Sequence, residues 1–230
     1  MKAFVITIRN HEYSELCADR CVLSAKSHNI EVEKFYGVNK HNAYVYLDDY
    51  QLSWGWADNN TKKRICNHTG LQQFPYTTND LRSKIACSLS HFLLWKKCVD
   101  LNESILILEH DAVFIRELPE INFYGAIQIN DPNKGGYKGK WHSNFMIKRG
   151  TTGVHPLTRK REEASLIPDG FSGASAYIIK PWAAKEFINA FHKYGVWPND
   201  ATICLQLFPW LEEYYPFITQ VQQTQSTSKQ

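Results

Sequence analysis

An α/β fold, with a mostly parallel central sheet flanked by helices, is what this sequence predicts, and three observations predict it. The chain opens as strand, helix and strand. A helical period over residues 81–101 then runs into a four-residue apolar stretch, Ile105 to Leu108, too short for a helix and right for a buried parallel strand. A second apolar stretch, Ala176 to Ile179, leads into a helix opening at Pro181, the favoured first position for proline. At 230 residues, with 43% hydrophobic and 13% aromatic content, the chain is long and apolar enough for one domain with its own core, which excludes a disordered protein.

Ala3 to Ile8 reads as the first strand, with Arg9 and Asn10 at its end. Glu12 to Ser27 follows as an amphipathic helix through Leu16, Cys17, Leu23 and Ser24, with Arg20 on the same side. Glu31 to Tyr36 is the second strand, and the trio suits a nucleotide-binding half-sheet. No glycine-rich phosphate loop is present, so Rossmann dehydrogenases and P-loop enzymes are excluded. Residues 37–80 carry no clear period, and so long a connection is either functional or partly disordered. Its Trp54 and Trp56 either stack on a sugar or base or serve ordinary packing.

Ile85, Leu89, Phe92, Trp95 and Val99 then recur at three- and four-residue steps, with Asn79 or Asp80 as the cap and Asn102 as the stop. The strand after this helix ends in Glu109, His110 and Asp111. Ligands of open α/β sheets sit at the carboxyl ends of strands. Two carboxylates one residue apart at such an end can reach one divalent cation. The plain alternative is a surface turn.

Tyr124 to Ile129 reads as a further strand. Residues 131–167 hold five glycines and read as largely loop. Eight Lys/Arg against one Asp give the stretch from Asp131 to Arg161 a net charge of +7, which leaves −4 for the rest of a chain at +3. Such a field points either to a polyanionic partner or to a solvated loop with none, and the interleaved Tyr137, Trp141 and Phe145 suit stacking. Lys138, Lys140, Trp141, Arg159, Lys160 and Arg161 are the candidate acceptor-binding residues. The helix after Pro181 places Ala183, Phe187, Ala190 and Phe191 on one face. Tyr214 to Val221 reads as the last strand, and residues 222–230 as a polar, mobile tail.

No apolar run approaches 18 residues, so no transmembrane helix is expected. The opening MKAFVITIRN turns polar too soon for a signal peptide, which points to the cytoplasm. The six cysteines lack paired zinc spacing and read as free thiols of a reducing compartment. The Asn-x-Ser/Thr triplets at Asn59, Asn67 and Asn102 are then accidental.

The run IACSLSHFLLWKK followed by ILILEHDAVF resembles glycosyltransferase family 25, the lipopolysaccharide and collagen sugar transferases. Ser90, His91, Trp95, Lys96, Glu109 and Asp111 match its first signature, with His110 replacing the middle acid. Gly173, Ala176, Tyr177, Pro198 and Asp200 fall on the second. Thr7 stands where the family opening has Asn. The resemblance implies one GT-A-like nucleotide-sugar-binding domain over residues 1–221, with 131–167 as its acceptor-side loop. It implies a divalent cation, Mn²⁺ or Mg²⁺, on Glu109 and Asp111, with His110 either a ligand or pointing away. The donor it implies is a nucleotide sugar, a UDP-sugar first. Thr7, Arg9, Arg20, Arg82, Ser90, Glu109, Gly173 and Tyr177 are its candidate contacts, since arginine forks match phosphate oxygens. Inverting transfer needs a base, for which Asp200 ranks before Asp169, and His91 is the third catalytic candidate. The acceptor implied is lipopolysaccharide or another surface glycan. A hydroxymethylated DNA base, extruded or free, is the alternative that the basic stretch raises. A catalytically dead relative that only binds glycan or nucleic acid is the other. Oligomeric state is left open.

Overall fold

The computed structural model describes residues 1–57, 63–75, 78, 80–134 and 136–222, the side chains of Lys134 and Tyr137 excepted. Asn59, Asn79 and the tail from 223 lie outside the described residues, as does the Tyr137 side chain. In chain order the elements are β1 (Lys2–Thr7), α1 (Glu12–Lys26), β2 (Glu33–Tyr36), α2 (Ala43–Asp49), β3 (Arg64–Ile65), β4 (Gln72–Gln73), α3 (Leu81–Leu101), β5 (Ile105–Glu109) and β6 (Ala112–Phe114). They continue as β7 (Ala126–Gln128), β8 (Asn130–Asp131), α4 (Gly136–Arg149), β9 (Gly153–Pro156), β10 (Ala176–Ile179), α5 (Pro181–Tyr194), α6 (Asn199–Thr202), β11 (Glu212–Tyr215) and β12 (Thr219–Val221).

The central sheet has the order β2-β1-β5-β10-β7-β11-β9. Five of its strands run one way; β10 and β9 run against them. Its central strands β1, β5 and β10 are apolar on both faces because both faces are covered. Phe4, Ile6, Ile105, Ile107, Tyr177 and Ile179 pack towards α3 and α5, whose Leu89, Phe92, Trp95, Phe187 and Phe191 complete that core. The alternate residues Ala3, Val5, Leu106, Leu108, Ala176 and Ile178 pack on the other side with Ala18, Cys21 and Ala25 of α1 and with Phe114. There β6, β12 and β8 form a second, three-stranded sheet. The period of two therefore decides the site as well: Glu109 follows Ile105 and Ile107 onto the α3 side.

Helix α3 starts where the Asp80 side chain accepts the Arg82 amide, and stops at Asn102, left-handed at φ 50°. The structure corrects the reading of residues 131–167 as loop, since α4 and β9 lie there. The inward face of α4 is Gly139, His142, Ser143 and Met146, all buried at helical spacing. Three of those four are small or polar, so hydrophobic periodicity does not reveal them. A Cβ on Gly139 would lie 2.1 Å from the Pro132 carbonyl oxygen, so glycine marks close helix contact here and not a loop. His142 bridges Ser172 Oγ and Glu213 in the same interior.

The expected last strand is two strands, β11 and β12, separated at Pro216. Residues 37–57 hold α2, and Trp54 forms a bridge to Val196. Trp56 packs on Trp197 with ring centroids 5.1 Å apart. Gln222, read as the start of a mobile tail, is anchored: its amide donates to Asp111 O at 2.7 Å and its side chain to Cys17 O at 3.0 Å. Among the described residues no helix is long and apolar enough to cross a membrane.

Candidate active site

Strands β1 and β5 end side by side, with Ile6 opposite Glu109 and β2 on the other side of β1. A cavity of about 490 Å³ opens over these strand ends. Its walls come from Arg9 to His11, the turn Val38 to His41, Ser83, Lys84, Cys87 and His91 of α3, the Glu109–Asp111 turn, Gly173, and Pro198 to Asp200.

Cys87, His91 and Trp95 form one stripe along α3, four residues apart. Trp95 Nε1 donates to the Tyr177 hydroxyl at 2.8 Å, and His91 Nδ1 lies 2.9 Å from the same oxygen. Tyr177 is fully buried, so its own proton needs an acceptor, and His91 Nδ1 is there to take it. The other ring nitrogen, Nε2, then presents a proton to Glu109 Oε1 at 3.3 Å. One chain of hydrogen bonds thus runs from core to cavity and fixes the orientation of Glu109.

Burial works against the Glu109 charge, but the His91 hydrogen bond and charge, with His110 and Lys84, more than reverse it and its pKa is lowered. Asp111 is the opposite case: burial, then repulsion from Glu109, pushes its carboxyl up to about 7. Its Oδ1 is buried without a hydrogen-bond partner among the described residues. A carboxylate pair with one member stabilised and the other uncompensated is a donor set that fits a hard divalent cation. Burial lowers the His110 pKa, and the neighbouring Glu109 charge opposes that shift. Donor atoms of Cys87, His91 and Glu109 also lie within 4.8 Å of one another. There, however, the His91 Nε2 proton points at Glu109, and burial pushes the Cys87 thiol up, so both first give up protons before ligating.

The rest of the cavity is set by close backbone approaches. Ser90 Oγ accepts from the Val38 amide at 2.9 Å and donates to Ala86 O. A Cβ on Gly37 would meet that oxygen at 2.5 Å, so the turn after β2 lies directly on α3. Pro198 precedes α6 and its carbonyl accepts the Ala201 and Thr202 amides, which holds Asp200 exposed at the cavity rim. Asn199 is buried beside it, its Oδ1 without a partner among the described residues.

A family model described as glycosyltransferase family 25 (LPS biosynthesis protein) matches residues 22–203. The chain belongs to glycosyltransferase family 25. Among solved structures it is similar to apo mouse xyloside xylosyltransferase 1, at 10% identity and a TM-score of 0.36, over 91% of this chain and 83% of that one. Among curated proteins none matches.

Of the residues singled out in this family 25 glycosyltransferase, the cavity brings together Arg9, Ser90, His91, Glu109, His110, Asp111, Gly173 and Asp200. It does not include Thr7, whose hydroxyl donates to Val5 O within β1. Arg20 is exposed on α1, and Arg82 is exposed and paired to Asp80 at 2.8 Å. Tyr177 acts from below, through His91. Asp169, 3% exposed, lies apart: its Oδ2 accepts the Lys160 and Arg161 amides at 2.7 and 3.1 Å, and Oδ1 faces Lys138 Nζ at 3.2 Å. Within the basic stretch Lys140 is exposed on α4, Arg159 is half-buried, and the Lys160 ammonium sits over the Trp141 ring. Lysines 40 and 84, Cys87 and Asn199 are cavity residues that the sequence reading did not single out. The four-residue step from Cys87 to His91 is the one signal that points to any of them.

Proposed function

We propose that the larger cavity holds a nucleotide-sugar donor and that the enzyme transfers its sugar, with inversion, to a hydroxyl of a glycan, lipopolysaccharide by default. One observation carries the reading. Asp111 Oδ1 and Asn199 Oδ1 are both buried and unpartnered among the described residues, and both residues line one cavity at the carboxyl ends of a twisted sheet. A bound diphosphate sugar with its counter-ion satisfies both kinds of vacancy.

Arg9 lies 4.6 Å over the Tyr36 ring, a seat that aims a guanidinium at the cavity beside Lys40 and Lys84. These cations would face the diphosphate. Glu109 and Asp111 would hold Mn²⁺ or Mg²⁺, which supplies Lewis-acid neutralisation of the leaving group. Transfer is a direct displacement. The acceptor oxygen bonds to the anomeric carbon as the bond from that carbon to the diphosphate oxygen breaks. The diphosphate leaves with the electron pair, and the acceptor proton passes to the Asp200 carboxylate. Asp200 suits that task because it is exposed at the rim, where an acceptor arrives.

Incubation with a panel of UDP-, GDP- and CDP-sugars and lipooligosaccharide, with Mn²⁺ or EDTA and mass detection, tests the reading. One donor should yield nucleoside diphosphate and a glycan heavier by one sugar, and EDTA should stop it. No transfer from any donor would overturn the reading, and transfer undiminished by EDTA would remove the cation from it.

A further inference from the structure

A second cavity, of about 260 Å³, adjoins the first, and Asp200 lines both. We propose that it is an acceptor subsite for an anionic sugar, one that places a hydroxyl at Asp200 and a carboxylate or phosphate at Lys138 and Arg161. The proposal rests on the reading of the larger cavity as the donor site.

The cavity has three kinds of wall. Trp56, Phe74 and Pro75 give an apolar side, and the Trp56 indole donates to the Phe74 carbonyl at 2.7 Å, which fixes one aromatic against the other strand segment. Phe74 is 40% exposed, a ring face open to the C–H face of a sugar. Asp200 and Ala201 form the side shared with the donor cavity. Lys138 and Arg161 form the third.

Charge decides what the third side prefers. Both cations lean on Asp169, at 3.2 and 3.4 Å, and that carboxylate already accepts two backbone amides. Two cations against one buried carboxylate leave this side of the cavity net positive, with the Asp200 carboxylate as counter-charge on the shared side. The Lys138 and Arg161 side chains stay 27% and 31% exposed, and Arg161 gives Asp169 one of its five N–H donors through the side chain. Negative charge is thus favoured far from Asp200, and a neutral hydroxyl near it. The volume is below the roughly 300–1,000 Å³ of pockets for drug-sized ligands, which suits one sugar unit.

Titration of the whole protein with methyl glucuronide, glucose 6-phosphate and methyl glucoside, followed by ligand-observed NMR, tests this. At least one anion should bind about tenfold or more tighter than methyl glucoside, as charge-assisted bonds imply. Glucuronide alone would assign a carboxylated acceptor, and the phosphate ester alone a phosphorylated one. Arg161→Gln should erase that advantage. Phe74→Ala, which leaves the Asp169 cluster intact, should weaken all three probes by a similar factor. Nucleoside diphosphate binding should be unchanged in both variants. Equal binding of neutral and charged probes would overturn the proposal, as would an advantage that survives Arg161→Gln or probes indifferent to Phe74→Ala. Displacement of the probes by duplex DNA would give the cavity to nucleic acid instead. Failure of any nucleotide to bind the wild type would count against the donor site, separately from these outcomes.

Discussion

Glu109 and His91 face each other across the strand–helix interface, Oε1 3.3 Å from Nε2, and the imidazole end of that contact is held from behind. Behind His91 stand the hydroxyl of Tyr177 and the indole of Trp95, each within 2.9 Å of its partner. The carboxylate at the cavity floor is therefore oriented from the hydrophobic core.

Tyr177→Phe tests that chain. It strips the partner from two buried groups, Trp95 Nε1 and His91 Nδ1, and should cost roughly 1–3 kcal/mol in urea unfolding. The His91 ring is then free to change tautomer, so turnover should fall as well, although Tyr177 is not in the lining of either cavity described above. Unchanged stability and turnover would show that the chain orients nothing.

Asp111 makes a prediction about pH. Its carboxyl is raised from 3.8 in the unfolded chain to about 7 in the fold. The stability from the raised group is complete below pH 3.8 and is lost as pH rises through about 7. Without metal, Asp111→Asn should therefore unfold at a higher temperature than wild type above pH 7 by a few degrees, a gap that closes in acid. Mn²⁺ should raise the wild-type midpoint above that pH and leave Asp111→Asn nearly unmoved. Calorimetry at several pH values decides it, and a Mn²⁺ response that survives the substitution would contradict it.

The two aspartates late in the chain should separate cleanly. Asp200→Asn should lower turnover by about a hundredfold or more, as loss of a general base does, with little change in unfolding. Asp169→Asn removes the charge that Lys138, Arg161 and two backbone amides share, and should destabilise by roughly 1–3 kcal/mol. Wild-type turnover in Asp200→Asn, with turnover lost in a folded Asp169→Asn, would move the base to Asp169.

Much of the fold was legible because its strands are buried on both faces: Ile105 to Leu108 and Ala176 to Ile179 carry their own signal, and α3 follows from its apolar steps and the Asp80 cap. The acid motif was legible because a strand that stops at Glu109 stops for a polar reason. Helix α4 was not, because its buried face is Gly139, His142, Ser143 and Met146, whose partners in Ser172 and Glu213 are distant in sequence. The place of Arg82 and Arg20 outside the cavity was equally hidden. Spacing put both arginines on helices near the site, but only tertiary contacts show that Arg82 turns back to Asp80. Asn199 offers no pattern of its own, being visible only once its amide oxygen is found buried beside the cavity.

The proposed donor site lies over β1 and β5, where Glu109 and Asp111 would hold a cation against the nucleotide diphosphate and Asp200 would act on the acceptor. Titration calorimetry of UDP, GDP and CDP with Mn²⁺, into wild type, Asp111→Asn and Asp200→Asn, tests it most directly. One nucleotide should bind wild type and Asp200→Asn alike and bind Asp111→Asn about tenfold or more weakly, since a lost ligand to the cation removes a charge-assisted contact. Binding by none of the three nucleotides, or equal binding to Asp111→Asn, would contradict it.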